Sequence, residues 1–229
     1  MSSDSQRIPG SAVTAALVEA EQAADVLAAT AAGLKTLHER LVELSTLVTE
    51  ASAGPQWRRG SGAAIQIQVD SLLGRITGLV HRTQVVGVTP LRGLTLRLGC
   101  MAGEPTFVLK PMTVESLGGE GVGKLADLAA GGAANLASGD VSAAQRIVAA
   151  AIDEVSQTAF GLRVFQTQVV AMAIRSLSAS RDILAAIGAD ADVPFWEPAG
   201  KDSPAPARTE PAGQPETQPG GLLSFGANS

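Results

Sequence analysis

The sequence predicts a mainly α protein: an elongated, antiparallel coiled-coil bundle of helices carrying a small β-hairpin. Three observations predict it. From Val13 to Ala51, apolar or small residues recur in steps of three and four: Val13, Ala16, Ala20, Ala23, Leu27, Thr30, Leu34, Leu37, Leu41, Leu44, Val48 and Ala51. Such a repeat keeps one seam of a helix turned toward a partner. A second long stretch near the C-terminal end has the same spacing. Between them the period falls from 3.6 to 2 at Leu94, Leu96 and Leu98, which is the mark of a strand.

The first helix is expected over about 11–53, with Ser11 as its N-cap and Gly54-Pro55 as its stop. Residues 1–10 are polar, end in Pro9-Gly10 and are expected to be disordered. The Val13–Ala51 stretch is a rod of roughly 60 Å at 1.5 Å per residue, too long for a compact globule to cover, so it needs an equally long partner. Its early seam is alanine, which permits close approach, and its later seam is leucine, which supplies burial. Gly33 costs about 1 kcal/mol inside a helix and so marks a tight contact or a bend. The outer face carries Glu19, Glu21, Asp25, Glu39 and Glu43, the wrong sign for lying on anionic lipid.

A loop holding Trp57, Arg58 and Arg59 comes next. These three are candidate partner contacts; in the plainer reading the Trp rests on a helix flank. The second helix, about 61–84, has Ile65, Val69, Leu72, Ile76, Leu79 and Thr83 in threes and fours, and the short loop before it implies an antiparallel hairpin. A β-hairpin is expected at about 93–110, with Pro105 and Pro111 bracketing its second strand and Cys100 a bystander in its turn.

Residues 117–139 are rich in Gly and Ala and read as a flexible crossing with a short helix at Lys124–Ala130. Asp140 can cap a last helix, about 140–187, which carries two stripes. Val148, Ala151, Val155, Leu162, Phe165, Val169 and Met172 form one; Val170, Ala173, Leu177, Leu184 and Ile187 form the other. Two stripes imply two neighbours, which would place this helix between the first two. From 194 to 229 the chain holds seven of its 12 prolines and reads as a disordered tail. Its end, Leu222-Leu223-Ser224-Phe225, is an apolar cluster on a polar leash, with Leu222, Leu223 and Phe225 as a candidate docking peptide or simply a stray apolar end.

Composition narrows the function. Aromatic residues are only 3 % and tyrosine is absent, which suits long packed helices better than a thick globular core. The net charge of −5 argues against a nucleic-acid partner. One cysteine excludes an internal disulfide and a cysteine metal cluster. No apolar run reaches the roughly 18 residues of a membrane span, so no membrane insertion is expected. The opening MSSDSQRIPG lacks the apolar core of a signal peptide, so any export is expected to proceed without a cleaved signal. Gly118–Lys124, GGEGVGK, nearly matches a phosphate-binding loop, but Leu125 stands where a Mg²⁺-holding hydroxyl belongs. The two histidines, His38 and His81, have no nearby His or Cys for a metal site and are expected to offer no nucleophile–base pair. Asp190 and Asp192 stand two apart after the last helix. No catalytic or metal site and no cofactor is expected.

The order of these elements, with the residues in them, resembles the inner rod domain of bacterial flagellin. AADVLAATAAGLKTL (Ala23–Leu37) is similar to the family's helix with its Thr-Ala-x-Gly-Ala-Leu motif, Thr30 falling on the family's threonine. IQIQVDSLLGRITGLVHRTQVVGVTPL (Ile65–Leu91) runs without gaps against the second helix, matching at Ile65, Gln66, Ile76, Thr83, Gly87 and Leu91. The family's Thr-x-Phe-Asn-Gly turn becomes Thr83-Gln84-Val85-Val86-Gly87. LTLRLGCMAGEPTFVLKPMTVESLG resembles the flagellin hairpin and the segment after it; Phe160-Gly161 and Asp190-Ala191-Asp192 fall on the family's Leu-Gly and Asp-Ala-Asp. The resemblance covers about 16–193. The family's terminal helices have no counterpart, and the Pro-rich tail stands in place of the second. The resemblance implies a flagellin-like structural subunit of the bacterial flagellum or of its hook–filament junction, exported without a cleaved signal. Its partners would be flagellin, other flagellar subunits, further copies of itself or an export chaperone. The alternative it leaves is a non-secreted, cytoplasmic relative that uses the same rod as an accessory or regulatory module in assembly.

Overall fold

In the computed structural model the other described long helices pack on one 45-residue helix, α1 (Ile8–Ser52). The structure describes residues 8–52, 61–101, 103–137 and 140–190. The chain divides into two units, Met1–Asp190 and Ala191–Ser229, and only the first contains described residues. The protein is mainly helical with a small antiparallel hairpin. No described helix is long and apolar enough to cross a membrane.

The predicted seam is the core. Leu27, Thr30, Leu34, Leu37, Leu41, Leu44, Val48 and Ala51 are fully enclosed. Thr30 is tolerated there because its hydroxyl donates to the Val26 carbonyl at 2.6 Å, leaving no unpaired polar group. The start of the helix differs from expectation. Ser11 is not its cap; α1 begins at Ile8, and Pro9 and Gly10 lie within its first turn, where proline's missing N–H has no intrahelical partner to lose.

α2 (Ser61–Arg82) runs antiparallel to α1, its Ile67 and Leu72 lying beside Leu47 and its Leu79 and Arg82 beside Thr36 and Arg40. The close approach anticipated at Gly33 is where its end arrives: a Cβ there would meet Leu91 Cδ1 at 3.0 Å and Thr83 Cγ2 at 3.1 Å. After a single turn of 3₁₀ helix at Pro90–Arg92, β1 (Leu94–Arg97) pairs with β2 (Thr106–Leu109), with Leu94 opposite Leu109 and Arg97 opposite Thr106. The hairpin lies along the early part of α1, where the Gly99 amide donates to Glu19 Oε1 at 3.0 Å.

The long C-terminal helix departs from the expected picture in two ways. It is not a uniform helix. α3 (Val141–Val164) passes into one wide π segment at Phe165–Val170, then continues as α4 (Ala171–Asp190). Nor does it sit between the first two helices: α1 is the one in the middle, facing α2, α3 and α4. The π segment explains the two stripes. Leu162 and Val170 are both buried, eight residues apart in sequence. A π turn of about 4.4 residues followed by an α turn of 3.6 spans that distance and returns to the same face. The stripes are therefore one seam whose phase is shifted midway. Val148, Ala151, Val155 and Leu162 belong to it before the shift, Val170 and Ala173 after it. Met172, which the unshifted periodicity turned inward, is 52 % exposed, and Ile187, at the far end of the second stripe, is 62 % exposed, so that stripe is not buried to its end. α3 is antiparallel to α1, with Gln145 Nε2 donating to Ser52 Oγ at 3.3 Å. Asp140 is its cap, accepting from the Ser142 amide at 2.9 Å and its hydroxyl at 2.6 Å. Those bonds from Ser142, hydroxyl first, hold its carboxyl below the usual range.

The Gly/Ala-rich crossing is ordered rather than flexible. It is wedged between α2 and α3. Gly118–Gly119 (β3) pairs with Gly123–Lys124 (β4), and the expected short helix is one 3₁₀ turn, Leu125–Leu128. Leu117, Leu125, Leu128 and Leu136 are fully buried. Two α2 side chains clamp the crossing. Buried Gln66 donates from Nε2 to the Leu128 carbonyl at 2.8 Å and accepts at Oε1 from the Leu136 amide at 2.8 Å. Asp70 Oδ1 accepts from Gln66 at 2.9 Å and from the Ala130 amide at 2.9 Å.

Candidate functional site

The six residues singled out as partner contacts, Trp57, Arg58, Arg59, Leu222, Leu223 and Phe225, lie outside the described residues, as does Asp192. The other sequence-level candidates fall in separate places. His81 is exposed near the end of α2, in a last turn with Arg82 that complements the helix dipole. Cys100 is half-buried in the hairpin turn, its thiol pushed up by burial and then by Glu19, which makes it less nucleophilic.

The GGEGVGK stretch has the wrong surroundings for a phosphate. The Gly118 amide donates to Glu154 Oε2 at 3.3 Å and the Lys124 amide to Asp127 Oδ2 at 2.7 Å, so carboxylates occupy the donors a phosphate would need. Lys124 Nζ donates to the Ser116 carbonyl at 2.9 Å. The arrangement ties the crossing to α3.

His38 gains a neighbour that sequence distance concealed. Ser156, 118 residues away, brings its Oγ within 3.4 Å of His38 Nδ1. Both line a hollow of about 360 Å³ between α1 and α3. The pair is not set as nucleophile and base, because Ser156 Oγ donates its one proton to the Ile152 carbonyl at 2.7 Å. No group of three His, Cys, Asp or Glu among the described residues could hold a metal ion.

A groove runs along the junction of α1 and α2. It consists of two adjoining hollows that share Arg75, one of about 540 Å³ and one of about 320 Å³. Leu47, Ile67 and Leu72 line the first, with Glu43 and Gln68 beside them. Arg40, Leu79 and Arg82 line the second. Beside the buried contact of the two helices, the groove is lined by one stripe of each, and on α2 that stripe borrows Leu72 and Leu79 from the edge of the apolar seam. On α1 that stripe is Thr36, Arg40, Glu43 and Leu47, in steps of four and three. On α2 it is Gln68, Leu72, Arg75, Leu79 and Arg82, in the same steps. Sequence reasoning missed it on the α1 side, where it followed only the stronger apolar stripe; the repeat of 36, 40, 43 and 47 was the available signal. Ile67 at the apolar end is 69 % exposed. At the other end Arg40 pairs with Glu43 at 2.6 Å, while Arg75 has no ion pair among the described residues.

No protein-family model matches the chain, and no curated protein is significantly similar to it.

Proposed function

We propose that this chain is a flagellin-like structural protein of the bacterial flagellum, packing against its neighbours through an antiparallel coiled-coil rod of α1, α3 and α4. One observation carries the reading. The elements follow the order of the flagellin inner rod: a long helix, a shorter antiparallel helix, a hairpin, and a long helix returning along the first. Detail at one turn supports it. Val85 and Val88 exchange backbone hydrogen bonds of 2.9 and 2.8 Å around Val86-Gly87. Both central residues have positive φ, 51° at Val86 and 76° at Gly87. Such a turn favours Asn-Gly, the pair that the flagellin motif has there; this chain keeps the glycine and replaces the asparagine. The reading assigns the protein no catalysis and no cofactor. It places the protein outside the cell, exported without a cleaved signal, in contact with flagellin or other flagellar subunits and handled before export by a chaperone.

The open α1–α2 groove favours a second reading, in which the same rod stays in the cytoplasm as an accessory or regulatory module of assembly. Shearing filaments from cells that make the protein separates the two. Recovery with the filament fraction is the expected result. Retention in the cells together with flagellin-dependent co-purification selects the second reading. Retention without any association with flagellin or its assembly factors overturns both.

A further inference from the structure

We infer that the α1–α2 groove is the seat of one helix of a partner protein, an amphipathic helix with an apolar stripe flanked by acidic residues. The inference does not depend on the flagellar reading. The groove runs about 17 Å along α1 from Thr36 to Leu47, three helical turns. Its two walls are parallel stripes at helical spacing, the shape that a third helix fills by packing ridges into grooves. One end offers exposed Ile67 with Leu47 and Leu72 behind it. The other holds Arg40, Arg75 and Arg82, with Glu43 on the side of the first hollow and Glu39 acting on Arg40 from outside the groove. That local excess of positive charge stands on a chain of net charge −5. Arg40 is committed to Glu43, and Arg82 Nε donates to the Gly78 carbonyl at 3.2 Å. Among the described residues Arg75 has no ion pair, and it stands where the two hollows join. An acidic side chain on the incoming helix completes it. A concave trough between two helices does not suit a flat bilayer surface, although its charge would attract anionic lipid.

The test uses the full chain and a labelled alanine-based peptide of about 18 residues, long enough to hold a helix, with leucines in threes and fours and glutamates flanking them. A second peptide has lysine in place of each glutamate. Fluorescence anisotropy at low salt is expected to give at least about tenfold tighter binding of the glutamate peptide. That advantage shrinks as salt screens it and disappears in Arg75→Glu. Ile67→Asp weakens both peptides. Both substituted residues are exposed, and circular dichroism confirms that each variant is folded. Equal affinity for the two peptides, binding of neither, or an unaffected Arg75→Glu overturns the proposal. So does binding to vesicles of phosphatidylserine and phosphatidylcholine in preference to the peptide. Sedimentation showing a dimer that Arg75→Glu dissociates also overturns it, because the occupant is then a second copy of this chain.

Discussion

The two halves of α1 are built to different thicknesses. From Leu34 to Ala51 the seam is mainly leucine and completely enclosed, with α2 on one flank, α3 on the other and the crossing wedged between those two. From Val13 to Thr30 the seam is mainly alanine, Val13 and Ala16 are only half-buried, and the cover is the hairpin on one side and α4 on the other. α4 itself leaves Met172, Ile183 and Ile187 exposed. A fully buried leucine contributes about 1.5–3 kcal/mol and an alanine much less. Stability is therefore concentrated in the leucine half, and the alanine half is the part that opens first. The same contrast places the groove: its two walls rest on the rigid half of the molecule.

The strongest way to break that picture is Leu41→Glu. The side chain is fully enclosed and belongs to the contiguous apolar core. Burying an unpaired charge exceeds what a stability of about 5–15 kcal/mol can absorb. The expected outcome is loss of helical circular dichroism at room temperature; a soluble, fully helical variant would show that the leucine half is not the core.

Next in size is Gln66→Leu, which tests whether the crossing is held by its clamp or merely by contact. The substitution keeps the volume but strands the Leu128 carbonyl and the Leu136 amide, at about 1–3 kcal/mol for each buried group. A fall in Tm with faster hydrogen exchange at Leu136 is expected; an unchanged exchange rate there would mean that the clamp is ornamental. Val86→Asn works in the other direction. Val86 is exposed, so nothing is lost by removing its methyls, and a β-branched residue at positive φ costs on the order of 1 kcal/mol or more. The asparagine variant is expected to have the higher Tm in a thermal melt.

These sites also mark where the sequence was legible. The seam of α1 and the alternation of β1 could be read because each is periodic and local, and each lies where its period places it. The phase shift at Phe165–Val170 could not. One extra residue in a turn leaves the composition unchanged and presents two stripes, which an unbroken helix would need two neighbours to bury. The crossing misled for a different reason. Gly and Ala there carry little side-chain information, and the order comes from Gln66, Asp70 and Glu154, partners between 36 and 70 residues away. The groove was hidden because Arg40 and Arg75 come together only once α2 is laid antiparallel on α1.

The smallest expected effect is the one that sharpens the comparison most. Ile187 is 62 % exposed near the end of α4, so Ile187→Ser should change stability by no more than about 0.5 kcal/mol, although the apolar periodicity of the sequence would place it in a seam. Val48 has the opposite character: similar chemistry, near the end of its own helix, but fully enclosed. Val48→Ser removes apolar packing and places a hydroxyl in an enclosed site, which puts it among the large destabilisations. Hydrogen exchange on the unmodified protein supplies the independent check. Amides of α4 beyond Leu177 should exchange through a local opening well below the global unfolding free energy, whereas those of Leu37 to Val48 should exchange only on complete unfolding. Equal protection in the two stretches, together with a large cost for Ile187→Ser, would mean that something covers the alanine half in solution and that the two halves are equally thick.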